Sequence, residues 1–161
     1  MRKLVIALAV LVAAAAFGGG KLVGASRADG ATVQRVVDGD TIVVRVEGRT
    51  ERVRYIGMDT PESVKPGTPV QCYAKAAAKE NRVLVAGLVV RLVSDAEARD
   101  RYGRLLAYVY RADDGLFVNA ELVRRGYARP LTIPPNVAHA SEFRRLAASA
   151  RRAGRGLWSR C

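Results

Sequence analysis

Short segments with strand-like alternation, separated by glycine and proline turns, constrain the fold of this 161-residue chain more than any other feature. In residues 41–46, aliphatic side chains occupy alternate positions, the period of a strand with one buried face. Similar segments at 32–37 and 51–58 flank it, with a turn at Gly48 before the third. The pattern predicts a three-stranded antiparallel meander.

The remainder of the chain predicts two more strands and three helices. In order, these are a helix over 71–86, strands over 88–93 and 105–110, a helix over 119–125 capped by Asn119, and a last helix capped by Ser141. Loops are predicted over 59–70, 94–104 and 128–138. This order fits an α+β fold, a five-stranded OB-fold Greek-key β-barrel with three α-helices, in one domain over 31–161.

The N-terminal segment predicts a signal peptide over residues 1–25, with cleavage near 25–28. Two basic residues precede an apolar stretch over 4–17, which would span about 21 Å as a helix. A hydrocarbon core is about 30 Å thick, so removal is favoured over permanent anchoring. We therefore expect a protein that is secreted or held in a bacterial cell envelope or periplasm. Membrane contact is expected only if this segment stays uncleaved.

Export would place both cysteines, Cys72 and Cys161, in an oxidising compartment. Two cysteines in a small exported domain more often pair than stay free. A disulfide is the prediction, and two separate thiols are the alternative.

The net charge of +12 arises from 27 basic and 15 acidic residues. It indicates a polyanionic partner, either nucleic acid or an anionic membrane, and composition does not choose between them. The hydrophobic content of 50% argues against a disordered basic tail. Two cysteines and one histidine, His139, exclude zinc-finger spacings.

Four of the few carboxylates fall into two groups at strand ends. Asp38 and Asp40 precede the second strand, and Asp59 and Glu62 follow the third. These strand ends are adjacent in an antiparallel meander, so the two groups can meet. A cluster of carboxylates would favour a hard divalent cation with oxygen ligands, for which calcium is the natural candidate outside the cell. Taken separately, each group is also explained as an ordinary turn.

Two arginines accompany these carboxylates. Arg54 falls on the face of the third strand shared with Ile56 and Met58, where a long cation is unexpected, and Arg104 begins the fifth strand. Each requires an anionic partner, and a structural carboxylate would be enough. Carboxylates, a metal ion and guanidinium groups together are also what phosphodiester hydrolysis requires.

Taken together, these residues resemble the staphylococcal nuclease (thermonuclease) family over most of residues 31–158. The motifs that carry the resemblance are Val37-Asp38-Gly39-Asp40-Thr41, Arg54, Asp59-Thr60-Pro61-Glu62, Asp100-Arg101-Tyr102-Gly103-Arg104 with Leu106-Ala107-Tyr108, Val118-Asn119 with Leu122-Val123, Pro134-Pro135-Asn136 and Gly156-Leu157-Trp158.

The resemblance implies a monomeric, calcium-dependent nuclease that cleaves DNA and RNA to leave 3′-phosphates, with no stable protein partner evident. Single-stranded or frayed nucleic acid is the expected substrate. The resemblance implies that the Asp40 and Asp59 carboxylates and the Thr60 carbonyl ligate Ca²⁺, with Asp38 nearby. It implies that Glu62 positions water or acts as the general base. Arg54 and Arg104 would bind the phosphate, and Arg101 and Tyr102 would contact the substrate.

The family's mechanism needs no imidazole, so His139 is expected to be a solvated loop residue. The chain departs from the family pattern at its substrate-binding residues. Arg101 stands where the family prototype has a lysine, which keeps a phosphate-facing cation. Leu131, Thr132 and Ile133 stand where the family prototype has tyrosines for base stacking. A non-catalytic nucleic-acid-binding OB-fold module is the alternative function. A cationic surface protein held to lipid by its N-terminus is a third.

Overall fold

The structure of the chain is a computed structural model that describes residues 27–62, 67 and 69–161. The predicted signal peptide over 1–25 lies outside these residues. The elements within them are β1 (Arg27–Val36), β2 (Thr41–Val46), β3 (Arg49–Tyr55), β4 (Met58–Asp59), α1 (Ala74–Val85), β5 (Val89–Val93), β6 (Leu105–Arg111), α2 (Val118–Arg124), β7 (Arg129–Pro130), α3 (Ala140–Arg152) and α4 (Leu157–Arg160).

Five strands close into a barrel in the order β1-β2-β3-β6-β5. The pair β3 and β6 is parallel, and the other neighbours are antiparallel. Alternate residues of β2, Ile42 and Val44, are fully buried in the barrel, as the sequence period requires. The α+β fold, the meander and the five-stranded barrel with three main helices are confirmed, and a four-residue α4 follows them.

The third strand ends earlier than predicted. β3 stops at Tyr55, a turn follows at Gly57, and Met58 and Asp59 form the separate strand β4. Gly57 has φ +81°, and a Cβ there would overlap the ring of Phe143. Only glycine fits this position, so the chain turns out of the barrel here. β4 then pairs with β7, in a segment that was predicted to be a loop.

Both predicted helix caps are wrong. α2 begins at Val118, and α3 begins at Ala140, so Asn119 and Ser141 lie inside the helices. Asn119 is fully buried, where its amide accepts a hydrogen bond from Val109 N–H at 2.9 Å and donates one to the Ile56 carbonyl at 3.0 Å. A buried amide must satisfy its polar atoms, and tertiary contacts do so here.

His139 lies in the loop before α3, as expected, but it is only partly solvated, with 31% of its side chain exposed. Its ring packs against Tyr108 and Phe117 at centroid distances of 4.5 and 4.9 Å, and its Nδ1 lies 2.8 Å from Glu142 Oε2. The ring therefore belongs to the aromatic cluster under α3. Among the described residues, no helix is long and apolar enough to cross a membrane.

The predicted disulfide is present. Cys72 lies just before α1, and Cys161 ends the chain after α4, with a Cα–Cα distance of 5.9 Å. The bond joins the segment that leads into α1 to the C-terminus across 89 residues of sequence.

Replacing this disulfide should lower stability markedly. We expect Cys161→Ser, with Cys72→Ser as the matched variant, to lower the free energy of unfolding by about 2–5 kcal/mol, because the unfolded chain gains the freedom of a long loop. Urea unfolding of the oxidised protein measures the change. Equal stability of the variants and the wild type would contradict it.

Asp95 connects the loop after β5 to β6 and to the start of α3. Its carboxylate accepts hydrogen bonds from the Tyr108 hydroxyl at 2.8 Å, Ala138 N–H at 3.0 Å and Ala96 N–H at 2.9 Å. Burial alone would raise the pKa of Asp95, but these three donors outweigh it and lower the pKa.

Asp95→Asn should therefore lower stability at neutral pH by about 1–2 kcal/mol, because the donors lose a charged acceptor. A lowered pKa in the folded state stabilises above the ordinary carboxyl pKa of 3.8, and this contribution is lost as pH falls. Thermal unfolding from pH 7 down to pH 2 should show the two proteins converging at acid pH. A difference that stays constant over this range would contradict the assignment.

Candidate active site

The two carboxylate groups meet at one end of the barrel. Asp40, only 3% exposed, stands at the start of β2, and Thr60 follows β4. Thr60 donates both its backbone N–H and its hydroxyl to Asp40 Oδ2, at 2.9 and 2.8 Å. The Thr41 hydroxyl donates to Asp40 Oδ1 at 3.1 Å. Asp40 therefore ties the start of β2 to the segment that carries Asp59.

Gly39 allows these two segments to approach so closely. A Cβ at this position would lie 2.6 Å from the Thr60 hydroxyl oxygen. The Gly39 backbone is not in the left-handed region, so the glycine is not explained by turn geometry. The Asp-Gly pair that the sequence presents as a turn is required by close packing instead.

Arg54 bridges the two carboxylate groups. Its guanidinium pairs with Asp40 Oδ1 through Nη1 and lies 2.6 Å from Asp59 Oδ1 through Nη2. The predicted face is wrong, because β3 ends at Tyr55 and the alternation does not continue to Ile56 and Met58. Arg54 pairs in register with Thr41 on the outside of the barrel. Arg54 therefore points away from the barrel core and pairs with two carboxylates. No long cation is buried among the apolar side chains, as the predicted face had required.

Glu62 is held by a reciprocal pair of hydrogen bonds with Gln71. The Gln71 N–H donates to the Glu62 carbonyl at 2.9 Å, and the Glu62 N–H donates to Gln71 Oε1 at 2.8 Å. Gln71 directly precedes Cys72, whose disulfide fixes that segment to the C-terminus. The backbone of Glu62 is therefore anchored to a covalently restrained part of the chain.

Asp38 is supported from inside the barrel. Asn81 of α1, fully buried, donates from Nδ2 to the Asp38 carbonyl at 2.9 Å and accepts a hydrogen bond from the Tyr55 hydroxyl at 2.9 Å. Burial raises the pKa of the Asp38 carboxyl, and the nearby Arg54 opposes this shift.

Arg104 enters the site from the start of β6. Asp100 holds it, with Arg104 Nε donating to Asp100 Oδ2 at 2.7 Å. Tyr102 is 69% exposed, and the guanidinium groups of Arg101 and Arg104 lie 4.8 and 5.6 Å from its ring centroid. The loop thus presents two cations and an exposed ring together.

Two adjoining cavities share Arg54 and Arg104. The first has a volume of about 210 Å³ and is lined by Asp38, Asp40, Thr41, Arg54, Asp59, Thr60, Pro61, Glu62 and Arg104. The second has a volume of about 440 Å³. Its wall includes Arg101, Tyr102 and two exposed aliphatic side chains, Leu131 and Ile133. A polar, charged cavity therefore opens beside a larger one whose wall is partly apolar.

The donor chemistry of the first cavity is that of a hard cation site, since all its candidate ligands are oxygens. Among the described residues, however, no group of three or more His, Cys, Asp or Glu side chains is arranged to hold a metal ion. Asp40 and Asp59 face the Arg54 guanidinium in this arrangement. The residues suit calcium by type, and the ligand set of Asp40, Asp59 and Thr60 stays a prediction.

Comparison with known proteins agrees with this geometry. The pattern that defines the family described as Staphylococcal nuclease homologue matches residues 52–160. The chain belongs to the staphylococcal nuclease family. The Thermonuclease of Staphylococcus intermedius is 42% identical over 134 residues, which cover 83% of this chain and 79% of that protein.

Other relatives of this staphylococcal nuclease family member carry similar names. The Thermonuclease of Staphylococcus hyicus is 39% identical over 79% of this chain and 74% of its own length. Endonuclease YncB of Bacillus subtilis (strain 168) is 40% identical over 80% of this chain and 61% of its own length.

Two residues that position the site in this family member, Asn81 and Gln71, were not predicted. Asn81 carries a detectable signal, because it shares the helical face of Ala77, Ala78 and Leu84, where a polar side chain needs a specific partner. Gln71 carries no such signal, because it lies at the predicted start of a polar helix. Its role depends on where Glu62 is placed in space.

Gly39→Ala should disrupt the site locally. The added methyl group would push Thr60 away from Asp40, so we expect a stability loss of about 1–3 kcal/mol. Proton NMR would show the largest shift changes at Thr60 and Asp40, while the signals of α3 stay in place. A variant with unchanged stability and unchanged Thr60 signals would contradict the close-packing role.

Proposed function

We propose that this protein is a calcium-dependent nuclease that hydrolyses the phosphodiester bonds of DNA and RNA, acting on single-stranded or frayed regions and leaving 3′-phosphates. The observation that carries the proposal is the first cavity, where four acidic residues meet Arg54 and Arg104; the acidic residues are Asp38, Asp40, Asp59 and Glu62. Relatives named Thermonuclease and Endonuclease support it.

The two arginines are suited to bind the scissile phosphate. Guanidinium groups match the oxygens of a phosphate, and both project into the same cavity. Charge on the phosphate increases as a nucleophile adds to phosphorus, so cations placed there in advance lower the barrier. Asp100 restrains the Arg104 side chain, which reduces the reorganisation needed on binding.

Glu62 is suited to orient water or to accept its proton. The pair of hydrogen bonds with Gln71 fixes its backbone at the cavity wall. In the proposed reaction, the water oxygen bonds to phosphorus, and the bond to the 5′ oxygen breaks. The attacking water loses its proton to the carboxylate, and the leaving oxygen takes up a proton to become the 5′-hydroxyl.

Calcium would be held by the Asp40 and Asp59 carboxylates and the Thr60 carbonyl, and would supply Lewis acid stabilisation of the phosphate charge. The second cavity would receive the adjoining base. Leu131 and Ile133 offer aliphatic contact there, with Tyr102 and Arg101 on the same wall. Base stacking on an aromatic ring is worth about 1–3 kcal/mol per base, so this aliphatic wall should bind bases less tightly than an aromatic one.

We propose further that the chain acts after export, as a monomer that is secreted or retained in the cell envelope. The apolar N-terminal stretch over 4–17 and the disulfide support this location. N-terminal sequencing of the extracellular protein should find a start between residues 26 and 29.

The proposed chemistry predicts large activity losses in two variants. Glu62→Gln and Arg104→Ala should each lower kcat on denatured DNA by about 10²-fold to 10⁴-fold, because each removes stabilisation that develops in the transition state. Chelation of divalent cations should abolish activity, and calcium should restore it. Rate measurements from pH 7 to 10 test both effects.

Matched controls are Glu47→Gln, in the exposed turn between β2 and β3, and Arg145→Ala, exposed on α3. Both remove the same charge away from the cavities and should cleave like the wild type. Cleavage by Glu62→Gln at the wild-type rate, or activity that persists with chelator, would contradict the proposal. A wild-type protein that binds single strands without cutting them would favour the non-catalytic binding module.

A further inference from the structure

The outer face of β1, β2 and β3 carries arginines that the proposed chemistry does not use. In the barrel register, Arg35 of β1 and Arg52 of β3 both pair with Val43 of β2, so all three stand in one row. Arg45 lies two residues further along β2, between Thr32 and Thr50. Partners in register project to the same face of a sheet, so Arg35, Arg45 and Arg52 share the outside of the barrel.

A β-bulge contributes to this arrangement. The register between β1 and β2 shifts between Val33 and Arg35, and both Gln34 and Arg35 are exposed. A bulge inserts one residue and re-aims the side chains around it. Val33 points into the barrel, and side chains two residues apart on a regular strand share a face. Without the shift, Arg35 would therefore also point into the barrel.

None of the three arginines has a partner in the described part of the chain. Each is exposed, and neither an ion pair nor a side-chain hydrogen bond joins it to another described residue. The nearby carboxylate Glu51 projects from the opposite side of β3, where it is bound by Arg99 at 2.8 and 3.0 Å. Glu47 lies in the turn at the far end. The face is therefore positive and uncompensated.

Val43 is the apolar residue in the middle of this arginine row. It lies outside the barrel core, between the core residues Ile42 and Val44, and is only 8% exposed. Arg35 and Arg52 flank it in register on the two neighbouring strands. Both arginines are exposed, and neither forms an ion pair with another described residue.

The arginine row is continuous with the candidate active site. Arg52 precedes Arg54 by two residues on the same face of β3, a separation of about 7 Å. Val53 of β3 pairs with Leu105 of β6, and these two strands are parallel. Arg52 and Arg104 each come one residue before this pair, so they lie next to each other across the two strands. A polyanion whose phosphate is bound by Arg54 and Arg104 thus has a row of cations immediately beside it.

We propose that Arg35, Arg45 and Arg52 form a phosphate track that holds the single-stranded nucleic acid beyond the scissile bond. This inference rests on the proposed function for its substrate. Its structural basis is charge complementarity and continuity with the Arg54 site. The track binds backbone phosphates and reads no bases, so it favours long strands over short ones.

The test is the salt dependence of strand binding, measured by fluorescence anisotropy in chelator, where no cleavage occurs. The probe is a labelled DNA single strand of about twenty nucleotides, longer than the roughly 4–16 nucleotides that one OB-fold covers. Each phosphate contact contributes about 0.7 to the slope of log affinity against log salt. The triple variant Arg35→Gln, Arg45→Gln, Arg52→Gln should therefore reduce the magnitude of this slope by about 2.

Two further triple variants give the matched controls. Arg144→Gln, Arg145→Gln, Arg152→Gln removes the same charge from the exposed face of α3 and should keep the wild-type slope. Arg35→Lys, Arg45→Lys, Arg52→Lys keeps the track charge and should also keep the slope, which shows that the charge at these positions, and not the replacement of the side chains, sets it. An unchanged slope in the track variant, or an equal loss in the α3 variant, would overturn the proposal.

A cleavage assay separates this proposal from the proposed function. With calcium, the track variant should show a several-fold fall in the ratio of kcat/KM for the long strand to kcat/KM for a dinucleotide. An active wild type with an unchanged ratio and slope would overturn the track alone. An inactive wild type would overturn the nuclease proposal, while the binding slope in chelator would still decide the track.

Discussion

The buried carboxylate of Asp40 is the constraint on which the rest of the site depends. It accepts hydrogen bonds from Thr60 and Thr41 and pairs with Arg54, so three separate strand ends meet at one side chain. A charge this buried is tolerated only when it is paired and hydrogen-bonded. The barrel therefore cannot close at this end without also bringing Asp59 and Arg54 beside Asp40. The contacts that stabilise the buried Asp40 carboxylate are therefore the same contacts that set the geometry of the site.

Buried amides transmit that constraint to the rest of the fold. Asn81 connects α1 to the Asp38 loop, and Asn119 connects α2 to β6 and to the turn after β3. Each satisfies backbone groups at a place where no strand partner is available. The parallel pairing of β3 with β6 then brings Arg104 alongside Arg54. The two arginines of the cavity come from elements 50 residues apart in sequence, so this juxtaposition is a consequence of barrel closure.

Much of this could be predicted from local pattern. The alternation in residues 41–46 predicts β2, and the adjacency of antiparallel strand ends predicts that Asp40 and Asp59 approach each other. The face of Arg54 and the caps at Asn119 and Ser141 were predicted wrongly for a shared reason. Each prediction extended a local rule through a place where a tertiary contact overrides it: the packing of Gly57 against Phe143, the buried amide network, and the aromatic cluster around His139.

The sequence by itself determined the three-stranded meander, the number of barrel strands, the charge and the set of residues capable of phosphate chemistry, because these follow from periodicity, composition and residue type. Only the tertiary structure decided which atoms meet. Gly39 serves close packing, Gln71 anchors Glu62, and a bulge turns Arg35 outward into a row with Arg52. Such contacts join residues that are distant in sequence, and their hydrogen-bond and packing requirements are satisfied only once the barrel is closed.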